Sequence, residues 1–129
     1  PACGYFEAQL DIKKSRFVTR LGRCRSVQDA RIFRSEVGDP KANHNCWAAR
    51  ALNGDVGSSD DGEPSGTAGM PMRAVLEGSG LFGVVVVVTR YFGGIKLGTG
   101  GLVRAYAACT RAVIEAAEWE DVVEGARLV

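Results

Sequence analysis

The sequence predicts an α/β (α+β) two-layer sandwich, a four-stranded sheet packed with helices, on three observations. Residues 5–12 alternate apolar and polar side chains with the two-residue period of a half-buried strand. Residues 84–89 are β-branched throughout, which suits a strand covered on both faces. From residue 102 onward apolar residues recur every third or fourth position, as on one face of a helix. With 129 residues, 46% hydrophobic and 24% charged, the chain has the size and balance of one domain around one sizeable core.

Taken in order, Phe6, Ala8, Leu10 and Ile12 mark the inward face of the first strand. Lys13-Lys14-Ser15 turns the chain into a second strand over residues 16–24, with Phe17, Thr19 and Leu21 on one face, and the two are expected to pair antiparallel. Ser26, with Asp29 three residues on, has the spacing of a helix cap. Val27, Ala30, Phe33 and Val37 then space out an apolar stripe, and Gly38 and Pro40 end the helix. Residues 45–52, with Trp47 among them, read as a third strand closed by Asn53-Gly54-Asp55. Residues 57–69 are small and acidic and predict a surface loop. Pro71 near its start and Gly78 at its end bracket a short helix over residues 70–77. The valine run that follows is expected to be the central strand. Past a glycine-rich loop, Leu102, Tyr106, Cys109, Val113 and Ala117 face inward on a long helix whose other side carries Arg104, Arg111, Glu115 and Glu118. No linker or repeat interrupts this order, so residues 1–129 are read as one domain.

Several classes are excluded by composition. The longest apolar run, residues 81–88, falls far short of the roughly 20 residues a membrane-spanning helix needs. The start, Pro1-Ala2-Cys3-Gly4, lacks the basic and then apolar pattern of a secretory signal, so a cytoplasmic setting with no membrane partner is expected. Cys3, Cys24, Cys46 and Cys109 lie far apart without CxxC spacing, which argues for reduced thiols and against a zinc site. The net charge of +1 conceals blocks: residues 1–50 carry ten basic against five acidic groups, and residues 51–88 one against five. Residues 89–111 hold Arg90, Lys96, Arg104 and Arg111 with no acid, and residues 112–129 return to one against five.

The segment from Thr89 to Tyr106 leaves the valine strand, crosses a glycine-rich turn and opens the last helix. Free backbone N–H groups and the helix dipole can hold an anion in such a place, with charge added by Arg90, Lys96 and Arg104. The alternative is that the glycines only permit tight turns and the cations are solvated. It is not a Walker loop, and the GxGxxG string at residues 78–83 ends a helix before a strand, the wrong context for a dinucleotide fingerprint. Tyr91 and Phe92 can stack on bases or pack into a core. Asp60, Asp61 and Glu63 put three carboxylates within four residues, able to bind a divalent cation, position a base, or pair with Arg90 or Arg104. His44, the only histidine, has no partner at a spacing that argues a catalytic triad, and a hydrogen-bonded role is expected. Cys46 is expected to face the core.

Lys13-Lys14-Ser15-Arg16-Phe17, the strand around His44-Asn45-Cys46-Trp47-Ala48, the Asp-Asp-Gly-Glu-Pro-Ser-Gly-Thr-Ala-Gly stretch at residues 60–69 and the segment from Thr89 to Tyr106 together resemble the IMPACT family, which includes bacterial YigZ-like proteins. The likeness covers nearly the whole chain and corresponds to the family's N-terminal domain. The resemblance implies the fold of the second domain of ribosomal protein S-five and the fourth domain of elongation factor G, with a left-handed βαβ crossover against the usual preference. It also implies links to translation. Eukaryotic members compete for the activator of the stress kinase that phosphorylates initiation factor two, and bacterial members are similar to nucleic-acid-binding domains. The extra N-terminal domain of eukaryotic regulators and the ferredoxin-like C-terminal domain of bacterial members have no room within these 129 residues.

Two functions are therefore expected to compete. The first is a non-enzymatic binding module that engages RNA, the ribosome or a translation-factor protein through Arg90, Lys96, Thr99, Arg104, Tyr91 and His44, without a cofactor. The second is a metal-dependent phosphoryl-transfer or hydrolytic enzyme using Asp60, Asp61 and Glu63 with His44.

Overall fold

A computed structural model describes residues 4–124, with side chains to residue 118, so Cys3 lies outside the described residues. The elements run β1 (Phe6–Ile12), β2 (Ser15–Arg23), α1 (Val27–Val37), β3 (His44–Arg50), β4 (Val56–Ser59), α2 (Gly69–Ser79), β5 (Val84–Tyr91) and α3 (Gly98–Glu124). The strands form one sheet in the order β1-β2-β5-β3-β4, and every neighbouring pair is antiparallel. Because β2 and β3 both run against β5, they are parallel to each other, and α1 is their crossover. By the same reasoning α2 connects the parallel pair β4 and β5 across β3.

The sheet has five strands among the described residues, where the sequence predicts four. The additional one is β4, Val-Gly-Ser-Ser, which lacks the apolar alternation that marks a strand. Its partner specifies it instead: Arg50 to Trp47 pair with Val56 to Ser59, and a Cβ on Gly57 would come within 2.9 Å of the Trp47 ring. The helix α2 also ends two residues late, at a left-handed Gly80 with φ 75° rather than at Gly78.

The central strand β5 explains its own composition. Val84, Val86 and Val88 enter the larger core with Phe17, Leu21, Cys46, Met72, Leu76, Tyr106, Cys109 and Val113, beneath α2 and α3. Val85 and Val87 point the other way, to Trp47, Ala49, Ala30 and Phe33 beneath α1. A two-residue period with both faces covered leaves no polar position, hence five consecutive valines. Ser26 caps α1 by accepting from the Asp29 N–H at 3.1 Å, and Gly38 closes it with its N–H on the Arg34 carbonyl. Cys24, Cys46 and Cys109 are buried and free.

One end of the sheet gathers several of the residues singled out from the sequence. There the β1–β2 turn, the start of β3, the end of β5 and the start of α3 meet, with Phe17 and His44 flanking Arg90 across the ladder. The turn is a two-residue connection between the paired Ile12 and Ser15, and both its residues have positive φ, 46° at Lys13 and 69° at Lys14. That is the type I′ pattern, which favours Asn and Gly and costs other side chains on the order of 1–3 kcal/mol each. Gly93 backs directly onto this turn, since a Cβ there would stand 1.9 Å from the Lys14 carbonyl oxygen.

Candidate functional site

Arg90 follows the parity of Val84, Val86 and Val88 and so points under α3, where it is only 5% exposed. The sequence suggested an outward cation here, and the structure corrects that: strand register sends the side chain inward, and a carboxylate neutralises it. Arg90 Nη1 donates to both oxygens of Glu63, at 3.1 and 2.9 Å, while Nε and Nη2 each lie 3.2 Å from the Ser15 hydroxyl. The guanidinium lies 5.4 Å from the Phe92 ring centre and 5.6 Å from that of Phe17. Glu63, itself buried, also accepts from the Tyr106 hydroxyl, and His44 Nε2 stands 3.5 Å from its other oxygen. His44 Nδ1 is 2.9 Å from the Asp61 carbonyl, which can only accept, so Nδ1 carries a proton in that contact. Beneath them the Cys46 sulfur sits 3.1 Å from the Asp60 carbonyl, and burial pushes its thiol up to about 12. Burial likewise raises the Tyr106 hydroxyl well above its ordinary value. Neither group is poised to ionise at neutral pH.

The acidic loop splits into three separate jobs. Asp60 turns back on its own loop, accepting from the N–H groups of Gly66, Ala68 and Gly69 at 2.8, 3.1 and 2.8 Å, and so closes the loop onto the start of α2. Asp61 pairs with Arg34 at 3.0 Å and accepts from the Asn45 N–H at 2.7 Å. Glu63 alone reaches Arg90, the pairing the sequence offered as an alternative to metal binding. Among the described residues no group of three or more His, Cys, Asp or Glu side chains is placed to hold a metal ion.

Asp60 supports a pH-dependent prediction. Burial alone would raise its carboxyl, but the N–H groups of Gly66, Gly69 and Ala68 together outweigh it and hold the carboxyl below the usual carboxylate range. A lowered folded-state value means stability that is present above the unfolded value, about 3.9, and lost as pH falls through the folded one. Asp60→Ala is expected to cost about 2 kcal/mol at pH 7 by leaving those donors unmet. Urea unfolding at pH 7, 4 and 3 should show the gap to the wild type closing below about pH 4; a gap independent of pH would mean the carboxylate is not the acceptor.

Above the buried pair lies a cavity of about 410 Å³ whose lining includes Asn43, His44, Phe92, Lys96, Leu97 and Thr99 together with Glu63 and Arg90. Of the residues singled out from the sequence, it thus collects His44, Lys96, Thr99, Arg90 and Glu63. Arg104 is exposed but does not line it. Tyr91 also turns away, donating its hydroxyl to Asp39, which raises the phenol and lowers the carboxyl. Asn43, which carries no sequence signal, accepts from the Phe92 N–H at 2.8 Å and so ties down the backbone that carries this ring at the mouth. Phe92 is 45% exposed there. Gly98, with φ 76°, opens α3 at the cavity edge, and a helix start leaves its first N–H groups without intrahelical partners.

An antiparallel α+β sandwich with one cation-edged, aromatic-lipped cavity at the start of its longest helix defines a compact domain with a concave site. The chain belongs to the IMPACT family: residues 13–114 match the family model described as the Impact N-terminal domain. An IMPACT family member of Haemophilus influenzae is 48% identical over 120 residues, covering 88% of this chain and 58% of the relative. The Escherichia coli member YigZ is 52% identical over 102 residues, 74% of this chain and 50% of its own length. The Bacillus subtilis member YvyE is 48% identical, covering 78% of this chain and 48% of the relative. A solved structure described as that of a hypothetical protein superposes with a TM-score of 0.79 at 44% identity, covering 87% of this chain and 57% of the other. The chain therefore spans about half the length of the relatives it matches.

Proposed function

We propose that the domain is a non-enzymatic module that binds single-stranded RNA in the cytoplasm, in the service of translation. A phosphate sits between Lys96 and the first N–H groups of α3, and a base stacks on Phe92. The observation that carries this reading is the coincidence, on one cavity, of an exposed lysine, a helix start and an exposed aromatic ring. Lys96 makes no ion pair with any described residue, so its charge is available. The fold that the family resemblance implies, shared with domains of a ribosomal protein and an elongation factor, favours RNA among polyanions. The catalytic reading loses ground because Asp60 and Asp61 are spent on backbone N–H groups and Arg34, and Glu63 on Arg90 and Tyr106.

Anisotropy titration of a short labelled single-stranded RNA is expected to show affinity falling steeply between about 50 and 200 mM salt. Lys96→Ala should flatten the log–log salt slope by about 0.7, the share of one phosphate on a single strand. Phe92→Ala should weaken binding about tenfold while leaving the slope unchanged, because stacking is not ionic. No binding at low salt, or wild-type affinity in both variants, would overturn the proposal.

A further inference from the structure

We infer that the Lys13–Lys14 turn is a second phosphate contact of the same RNA surface, so that the strand runs from the cavity mouth across the tip of the β1–β2 hairpin. The inference rests on the RNA-binding reading of the cavity. Three observations lead to it. A two-residue turn with φ of 46° and 69° is a place for Asn-Gly, yet two lysines occupy it, and a left-handed backbone does nothing for a lysine side chain. Both are exposed and neither makes an ion pair among the described residues. The turn is also held in place: Gly93 lies so close that a Cβ would strike the Lys14 carbonyl, and Ser15 bonds Arg90 beneath the cavity. The tip is therefore fixed against the loop that carries Phe92 and Lys96, and its charge adds to that of Lys96.

Backbone strain that stability alone would remove is retained where a side chain is needed for something else. Two phosphate-bearing neighbours of a nucleotide held at the cavity would meet this tip, whereas a neutral or cationic partner would gain nothing from it. The occupant that fits is a polyanionic strand continuing out of the cavity.

Two double variants test this against the wild type. Lys13→Asn with Lys14→Gly installs the favoured turn and removes both charges; Lys13→Gln with Lys14→Gln removes the charges and leaves the turn as it is. The first is expected to melt several degrees higher than the wild type and the second close to it. Both should bind the labelled RNA about tenfold more weakly, with the salt slope flattened by about 1.4, two single-strand phosphates' worth. Wild-type affinity and slope in both variants, while Lys96→Ala still weakens binding, would overturn this inference and leave the cavity reading standing. Absence of RNA binding by the wild type would overturn both.

Discussion

Glu63→Ala is expected to lower the unfolding free energy by about 3–5 kcal/mol, among the largest effects available to a single substitution in this chain. The reason is that Arg90 would remain where strand register puts it, 5% exposed under α3, with its carboxylate gone. Ser15 would still accept from Nε and Nη2, but a hydroxyl cannot offset a whole buried charge. The Tyr106 hydroxyl would lose its acceptor as well. Removing both partners should be far milder: Glu63→Leu with Arg90→Met is expected to recover most of the loss, because a buried ion pair is nearly balanced by the desolvation it suffers. Urea unfolding of Glu63→Leu, Arg90→Met and the double variant closes the cycle. A loss below about 1 kcal/mol for Glu63→Ala would mean that water reaches Arg90 and that the pair behaves as a surface bridge.

Gly93→Ala should cost about 3 kcal/mol or more through a different mechanism. The added methyl would meet the Lys14 carbonyl oxygen at 1.9 Å and carbon at 2.3 Å, both backbone atoms of a tight turn that cannot step aside by rotating a side chain. Either the hairpin tip lifts away or the loop after β5 is displaced. Urea unfolding reads the cost, and hydrogen exchange reads its location, with lost protection expected at the β1–β2 tip and not at the α1 side of the sheet. A variant as stable as the wild type, with the tip still protected, would show that the two segments do not approach this closely.

Much of the architecture was legible because it rests on periodicity. The alternation from Phe6 to Ile12, the valines of β5 and the three- and four-residue spacing from Leu102 to Ala117 each report a buried face directly, and the structure buries the residues they mark, fully or in part. What escaped depends on partners distant in sequence. The strand β4 is specified by Trp47 and the edge of β3, not by its own small polar residues. The inward turn of Arg90 follows from counting parity along β5, but its being tolerated depends on Glu63, 27 positions away. The motif around Arg90, Lys96 and Thr99 mixes two populations, a buried cation at Arg90 and an exposed one at Lys96, which spacing alone does not separate. Asn43 and Ser15, which hold the Phe92 loop and the Arg90 head, are ordinary polar residues on their own and acquire meaning only through the side chains they meet.

The strand order also dictates when this chain can become a domain. Its middle strand is the last of the five to be made, inserted between two earlier ones that have no hydrogen bonds to each other. As the polypeptide leaves the ribosome, the hairpin of β1 and β2 and the pair of β3 and β4 therefore emerge as two unjoined halves, each with an unsatisfied edge. They are sewn into one sheet only after Val84 to Tyr91 has appeared, and the larger core, covered until then by α2 alone, is completed only when α3 follows. Maturation is thus gated by the C-terminal third of the chain, the costly long-range closure coming last and all at once.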